Sequence, residues 1–371
     1  MRSGFKVIDG DGHMQEPLDI WDTYLEPQFR DRIKVVSAIG RIFHEMAPCE
    51  VSPEGSIGKR PQSTFAHVPE LYGESYESWW SLETRLHDMD REGIDIMVGF
   101  PTNGLGITSP TITDPVFKAA LCRAYNDWAA DYCAGDPKRV MFVATISVLD
   151  IAVAVREIER VAAMPGIAAI MLPDPGQSLL WNSPDYDPIW SALVHADLAA
   201  CFHGGTTQFS MFGPWTSHGL AAVSHSISFP VDTMLAMGSV IFGGVFDRHP
   251  TLRAGFYEAN AGWLPWWLGR MDDHYHGRMH TFSYGSSITK PPSEYFRDHC
   301  TIACDVDEPQ LAEVVDAMHG DNIVFNTDYP HPDAPWPHPV DTFLARGLAD
   351  SAATKILWDN SIKLYGNRIG A

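Results

Sequence analysis

Short apolar segments alternate with amphipathic segments along most of the chain. The apolar segments have the length of β-strands. The segments between them carry apolar residues at intervals of three and four, which is typical of helices that bury one face. This alternation predicts parallel strands joined by right-handed helical crossovers. Eight strands are predicted, over residues 5–8, 94–100, 140–146, 167–172, 198–202, 252–258, 300–305 and 323–328.

Eight strand–helix units in 371 residues favour a closed (β/α)8 barrel, the TIM barrel, over an open doubly wound sheet. No GxGxxG or Walker sequence follows any predicted strand, which also disfavours a nucleotide-binding sheet. We therefore predict an α/β protein with a single domain over residues 1–371. The predicted helices are residues 82–92, 115–135, 149–163, 185–196, 230–247, 262–275 and 308–317, with further helices up to residue 365.

Two connections are much longer than the others. Residues 18–80, after the first strand, and residues 206–228, after the fifth strand, are irregular and rich in aromatic side chains. Connections of this length are uncommon as plain loops, so we interpret both as insertions. Loops that follow the strands of a TIM barrel form its active-site face. We expect the two insertions to lie over the barrel mouth and to shape a pocket for a small, ring-bearing molecule.

The charge balance disfavours two classes of partner. The chain has 26 Lys and Arg residues against 47 Asp and Glu residues, a formal net charge of −21, which argues against nucleic acid and anionic membranes as partners. No apolar stretch is long enough to span a bilayer, and the N-terminal residues lack the apolar core of a signal peptide. The six cysteines form no CxxC pair, which favours reduced thiols. We expect a cytoplasmic protein.

Ligand-type side chains stand at the ends of four predicted strands. Asp11 and His13 follow the first strand, His203 follows the fifth, Glu258 closes the sixth and Asp328 closes the eighth. The C-terminal strand ends of a TIM barrel form one face, so these side chains are expected to meet there. Carboxylates and imidazoles together suit a hard or borderline divalent metal. We predict a metal site at this end of the barrel.

Further polar residues lie near the predicted site. Glu16 is a candidate oxygen ligand in addition to Glu258 and the other strand-end residues, although Glu16 has the alternative role of ordering its loop. Asp9 lies deeper in the first strand and is expected to bind backbone or a second side chain. His225 and His331 lie in predicted connections and are candidate acid–base groups.

Several motifs together resemble the amidohydrolase-related proteins. More narrowly, they resemble the branch that contains aminocarboxymuconate-semialdehyde decarboxylase and the resorcylate-type decarboxylases. The likeness covers nearly the whole chain, and it is more specific for the superfamily than for the reaction. The motifs are Ile-Asp-Gly-Asp-Gly-His-Met-Gln-Glu-Pro at residues 8–17, Phe-His-Gly-Gly at 202–205, residues 243–253, Glu-Ala-Asn-Ala-Gly-Trp-Leu-Pro at 258–265, and Thr-Asp-Tyr-Pro-His-Pro at 327–332.

The resemblance implies a set of metal ligands. By it, Asp11 takes the place of the first ligand of the usual His-x-His pair, His13 is the second, His203 is the strand-5 ligand and Asp328 the strand-8 ligand. The resemblance also implies a homodimer.

Two departures from the family pattern bear on the reaction. The decarboxylases carry a catalytic histidine at the end of strand 6, where this chain reads Glu258-Ala259-Asn260. Strand 4 contains no lysine, so the chain cannot form the carboxylated-lysine bridge of binuclear hydrolases. The surplus of carboxylates, with Asp11, Glu16, Glu258 and Asp328, permits a second metal and also suits iron. We expect a divalent metal, with zinc as the first choice and one or two iron ions as the alternative.

The leading hypothesis is a metal-dependent hydrolase that uses a metal-activated water on a small organic substrate. In it, Asp328 takes the proton of the water, and Glu258, His225 or His331 returns a proton to the leaving group. One alternative is a carboxylate-bridged di-iron oxygenase on the same barrel. A second is a non-oxidative decarboxylase, against which the missing strand-6 histidine counts. A barrel that binds a ligand without turning it over is the non-enzyme alternative.

Overall fold

The structure is a computed structural model that describes residues 1–17, 19–36, 40–43, 69–108, 112–173, 180–204, 221–277, 288–331 and 335–369. Eight parallel strands follow one another around a single sheet in chain order, and a two-stranded antiparallel hairpin stands apart from it. The barrel strands are β1 (Ile8–Met14), β4 (Ile96–Pro101), β5 (Val140–Thr145), β6 (Ile167–Met171), β7 (Ala199–His203), β8 (Ala254–Tyr257), β9 (Cys300–Cys304) and β10 (Ile323–Phe325), and the hairpin strands are β2 (Ile33–Val36) and β3 (Gly40–Phe43).

Backbone hydrogen bonds beyond the end of β10 join the last strand to the first. The Asp328 N–H donates to the Asp11 carbonyl at 2.9 Å, and the His13 N–H donates to the Tyr329 carbonyl at 2.8 Å. These bonds close the sheet at the face where the strands end. The predicted TIM barrel is confirmed.

Helices connect the strands and cover the barrel. The predicted helix at 82–92 is observed with the same bounds, begun by the Ser81 side chain and ended by Gly93 in the left-handed region. No helix in the described ranges combines the length and the apolar character that crossing a membrane requires. The α-helices are Ile20–Tyr24, Pro69–Tyr72, Glu74–Glu77, Leu82–Glu92, Pro115–Cys133, Ile151–Val161, Asp187–His195, Ala221–Phe242, Val245–Arg248, Leu264–His276, Pro292–His299, Leu311–Met318, Pro339–Leu344, Asp350–Thr354 and Asn360–Tyr365, with a π-helical turn at Lys355–Asp359 and 3-10 turns at Pro27–Arg32, Asn103–Thr108, Pro184–Tyr186 and Gly366–Arg368.

The strands β5, β6 and β7 are buried on both faces, which is why they read as nearly continuous apolar runs in the sequence. Neighbouring residues of one strand face two different hydrophobic layers. Phe142 packs between the barrel and its helices, whereas Val143 packs inside the barrel.

The described end of the first insertion contacts residues near the ends of two barrel strands. Trp80 Nε1 donates to the Tyr329 hydroxyl at 2.8 Å, and Trp79 Nε1 donates to the Glu16 carbonyl at 3.0 Å. Both contacts are with residues that follow strands β1 and β10. Residues 205–220, most of the second insertion, lie outside the described residues. The helix that follows begins at Ala221, nine residues before its predicted start at residue 230.

Candidate metal centre

Asp11, His13 and His203 come together at the C-terminal ends of β1 and β7. Asp11 and His13 are two residues apart on one strand, so their side chains lie on the same face. The His13 Nε2 and His203 Nε2 atoms lie 3.7 and 3.6 Å from Asp11 Oδ1. All three side chains are buried, and their ligand atoms lie within 4.8 Å of one another. The structure therefore assembles three of the predicted ligands in one cluster.

Main-chain carbonyls orient both imidazoles of the cluster. His13 Nδ1 lies 2.9 Å from the Pro101 carbonyl, and His203 Nδ1 lies 3.0 Å from the Gly204 carbonyl. Because a carbonyl only accepts hydrogen bonds, each Nδ1 carries the proton, and each Nε2 presents its lone pair toward Asp11. Burial lowers the pKa of His13 to about 4, so this imidazole is neutral at physiological pH. Neutral imidazole is the form that binds metals.

The Asp11 carboxylate carries the strongest indication of a cation. Both of its oxygens are buried, and neither has a hydrogen-bond donor among the described residues. A buried carboxylate with neither a donor nor a cation is costly, and buried polar groups are nearly always paired. One carboxylate and two oriented imidazoles are a donor set that Zn²⁺ and similar divalent ions accept. The residues therefore fit a divalent metal ion.

Asp328 joins the same cluster from the loop after β10. Its Oδ1 lies 3.1 Å from His13 Nε2 and 2.9 Å from His331 Nδ1, and the three residues form a second group of metal-ligand type. Burial raises the pKa of Asp328, but the neighbouring charge of His331 and the hydrogen bond from this residue, together with the close approach of His13, outweigh the effect of burial and hold the pKa well below its usual range. Asp328 is therefore an ionised carboxylate at the edge of the cluster.

Glu258 lies behind one of the predicted ligands. Its Oε2 is 3.1 Å from His203 Nδ1, the nitrogen on the side of the ring away from Asp11. This position resembles the carboxylate–histidine–metal arrangement in which a carboxylate orients a ligand imidazole. The structure thus places Glu258 against His203 and outside both groups of ligand atoms.

Glu16, predicted as an additional ligand, has a different set of partners. Its carboxylate accepts the backbone N–H groups of Thr102, Asn103 and Gly104 at 3.1, 2.8 and 2.9 Å. Burial raises the pKa of Glu16 to about 7, although these N–H groups oppose the shift. Glu16 belongs to neither group of ligand atoms, and its contacts order the loop that follows β4.

We expect the substitution Glu16→Gln to reduce stability without removing the metal. A glutamine at this position turns an N–H donor toward one of the three backbone N–H donors, which costs about 1–3 kcal/mol of unfolding free energy. Urea denaturation and elemental analysis of the same preparations measure the two effects. A variant that loses its metal but keeps its stability would instead place Glu16 at the metal.

The remaining predicted residues divide into two cases. Asp9 accepts the N–H and the hydroxyl of Thr327 at 3.0 and 2.6 Å, in agreement with the expectation that it binds backbone and a second side chain. Burial raises its pKa to about 7. The side chain of His225 lies outside the described residues, and its assignment as an acid–base group stays a prediction.

A cavity of about 150 Å³ lies next to the cluster and shares Asp328 with it. Several of the residues that line this cavity were not predicted from the sequence, above all Asp305, which directly follows β9. Asp305 stands at the end of an apolar strand, and the same feature led to the prediction of Asp328 as a site residue. Burial, together with the charges of Glu308 and Asp328, raises the pKa of Asp305 to about 7. The described lining residues are Ser226, Phe229, Pro230, Glu258, Ala259, Asn260, Asp305, Val306, Asp307, Asn326, Thr327, Asp328 and Pro335.

Comparison with known proteins identifies the family to which this barrel and its strand-end cluster belong. The sequence profile described as Amidohydrolase matches residues 56–367, and the chain therefore belongs to the amidohydrolase family. The chain is 23% identical over 258 residues to 2-amino-3-carboxymuconate-6-semialdehyde decarboxylase of Dictyostelium discoideum, covering 68% of this chain and 67% of that protein. It is 24% identical over 304 residues to gamma-resorcylate decarboxylase of a Rhizobium species, covering 76% and 86%. The predicted branch is confirmed, and these relatives support the prediction of an enzyme.

Solved structures show the same fold. An amidohydrolase from Mycobacterium avium subsp. paratuberculosis superposes with a TM-score of 0.75 at 23% identity, covering 98% of this chain and 100% of that chain. A 5-carboxyvanillate decarboxylase from Novosphingobium aromaticivorans, complexed with manganese and 4-hydroxy-3-methoxy-5-nitrobenzoic acid, superposes with a TM-score of 0.73 at 23% identity, covering 98% and 97%.

The prediction of a hydrolase is wrong, because the curated relatives that match most of the chain are decarboxylases. The physical reason is that strand-end motifs specify metal ligands, which both reactions share. Such motifs alone therefore do not distinguish hydrolysis from decarboxylation. The di-iron oxygenase and the homodimer stay predictions, as does the choice between zinc and iron.

Proposed function

We propose that this protein is a metal-dependent, non-oxidative decarboxylase of a small ring-bearing carboxylic acid. The observation that carries the proposal is that the ligand cluster and the cavity share Asp328. A carboxylic acid in the cavity therefore lies beside the ion that the cluster fits. A cavity of about 150 Å³ holds a single six-membered ring, since an engineered cavity of that size binds benzene. The decarboxylases among the relatives support the same reaction.

Four residues would hold the ion, namely Asp11, His13, His203 and Asp328. When bound, the ion supplies a Lewis acid that holds the substrate carboxylate or a neighbouring oxygen. Glu258 and the Gly204 carbonyl keep the imidazole of His203 in its orientation. Manganese in the structure of 5-carboxyvanillate decarboxylase makes Mn²⁺ the first ion to test, with Zn²⁺ beside it.

The reaction requires one proton from the protein. The bond between the carboxylate and the ring carbon breaks, CO₂ leaves, and the electron pair that stays on the carbon takes up a proton. Two aspartates on the cavity wall differ in their suitability as the acid. The pKa of Asp328 is held well below its usual range, whereas that of Asp305 is raised to about 7. A pair of carboxyl groups whose environments separate their pKa values in this way defines the acid and the ionised partner.

Asp305 is therefore the proton donor in this proposal. Burial raises the pKa of Asp305 to about 7, close to the neutral pH at which a general acid is most effective. Asn260 Nδ2 donates a hydrogen bond to Asp305 Oδ2 and orients the carboxyl group. Asn260 belongs to the segment after β8 in which the related decarboxylases carry histidine. In this proposal the acid, Asp305, therefore follows β9, the strand next to β8. Solvent restores the proton of Asp305 after each turnover.

Product analysis tests the proposed reaction. The Mn²⁺-loaded or Zn²⁺-loaded protein is incubated in D₂O with 2,6-dihydroxybenzoate or with 5-carboxyvanillate. We expect release of CO₂ and one deuterium on the ring carbon that carried the carboxylate. Since the acid that protonates this carbon also removes a proton from it in reverse, ring protons of resorcinol or vanillate are expected to exchange with solvent. An absence of both CO₂ release and exchange, with metal bound, would contradict the proposal for aromatic acids.

A further inference from the structure

Arg85 is completely buried, although a guanidinium is among the side chains that are almost never buried without partners. It lies on the helix Leu82–Glu92. Its Nη2 donates to the His13 carbonyl at 2.7 Å, and its Nη1 donates to the Tyr329 carbonyl at 3.3 Å. Its guanidinium carbon also lies 4.7 Å from the centre of the Tyr329 ring. One side chain therefore bridges the backbone at the ends of the first and last barrel strands.

The two carbonyls belong to the segments that carry the proposed ligands. His13 is itself a ligand in the proposal, and Tyr329 directly follows Asp328. The His13 N–H donates to the same Tyr329 carbonyl at 2.8 Å. Arg85 thus completes a junction between the β1 end and the loop after β10. This is the junction across which His13 Nε2 and Asp328 Oδ1 approach to 3.1 Å.

The same helix holds the other end of Tyr329. The Tyr329 hydroxyl donates to the Asp88 carboxylate and accepts a hydrogen bond from Trp80 Nε1 at 2.8 Å. Asp88 lies one turn after Arg85 on the same helix. Arg85 contacts the carbonyl and the ring of Tyr329, and Asp88 binds its hydroxyl. The Tyr329 ring also stacks on Trp336, with ring centres 3.8 Å apart. The segment after Asp328 is therefore fixed to the helix by several contacts.

We propose that Arg85 is a positioning residue that sets the affinity of the site for its metal ion. Metal sites require their ligands to be held to within about 0.5 Å, and the planar fork of a guanidinium fixes two acceptors at once. Arg85 lines no part of the cavity and belongs to neither group of ligand atoms. It acts through the backbone of His13 and Tyr329. The inference rests on the metal site of the proposed function but not on the reaction.

Titration of the metal-free protein with Mn²⁺, followed by electron paramagnetic resonance, tests this role. We expect Arg85→Met to weaken Mn²⁺ binding about 10- to 100-fold, the range found when groups that orient ligands are removed. Arg85→Lys keeps the charge but reaches one carbonyl, so its affinity is expected to fall between those of Arg85→Met and the wild type. Guanidinium ion at millimolar concentration is expected to restore part of the affinity of Arg85→Met.

Arg139 supplies a matched control. It donates to the carbonyls of Ile94 and Asp95 at 3.0 and 3.2 Å, but these residues precede β4 at the opposite end of the barrel. Arg139→Met is expected to lose thermal stability and keep its Mn²⁺ affinity.

Two outcomes would overturn the role of Arg85. One is an Arg85→Met protein that binds Mn²⁺ within twofold of the wild type, and the other is an equal loss of affinity in Arg139→Met. If Arg85→Met does not fold, an Arg85→Lys protein with wild-type affinity overturns the role in the same way. Wild-type protein that binds neither Mn²⁺ nor Zn²⁺ would overturn the metal site as well, whereas tight binding without CO₂ release would contradict only the reaction.

Discussion

Asp305→Asn is expected to lower kcat for decarboxylation about 10²- to 10⁴-fold, the contribution typical of a positioned general acid. The amide of asparagine hydrogen-bonds to its neighbours but transfers no proton to carbon. Because Asp305 lies outside both groups of ligand atoms, the affinity for Mn²⁺ is expected to stay unchanged. Steady-state kinetics at saturating Mn²⁺, combined with a metal titration, separates the two quantities.

The pH dependence of kcat gives a second test of the same role. Burial raises the pKa of Asp305 to about 7, and the acid form is the reactive one. The wild-type kcat is therefore expected to fall as the pH rises through about 7, and this limb should vanish in the variant. Asp307 also lines the cavity and supplies the control, since Asp307→Asn should keep the limb. An Asp305→Asn protein with more than a tenth of the wild-type kcat would exclude Asp305 as the donor.

Asp11→Asn is expected to have opposite effects on stability and on metal binding. Both oxygens of Asp11 are buried without a hydrogen-bond donor in the described part of the chain, so the metal-free protein bears the cost of an uncompensated charge. Removing that charge should raise the unfolding free energy of the metal-free protein by about 1–3 kcal/mol. It should also weaken metal binding, because the site loses its central anionic ligand. Urea denaturation after chelation and Mn²⁺ titration measure the two effects.

The neighbouring aspartate of the same strand provides the control for this experiment. Asp9 is as buried as Asp11, but it accepts two hydrogen bonds from Thr327. Asp9→Asn should therefore reduce the stability of the metal-free protein. If Asp11→Asn lowers the unfolding free energy of the chelated protein as much as Asp9→Asn does, the Asp11 carboxylate has a structural hydrogen-bond partner. The interpretation that it faces an empty cation site would then be wrong.

The sequence by itself predicts the barrel and the ligands that lie at its strand ends. Strand and helix periodicities are local properties, so eight alternating units predict the fold without knowledge of any contact. The barrel then brings the strand ends to one face, and this is why the positions of Asp11, His13 and His203 alone predict that their side chains meet, as they do in the structure. Asp305 has the same signal, directly after β9, and was overlooked.

Only the tertiary structure decides what the remaining polar residues contact. Glu16 was predicted as a ligand, but it binds backbone N–H groups 86 to 88 residues away in the chain. Arg85 has the sequence context of an ordinary amphipathic helix, yet it bridges carbonyls at the first and last strand ends. Such contacts depend on which loops meet above the barrel, and hydrophobic periodicity carries no information about this. Strand positions therefore predict the candidate metal ligands and carry the same signal for Asp305, whereas the contacts of Glu16 and Arg85 depend on packing between distant segments.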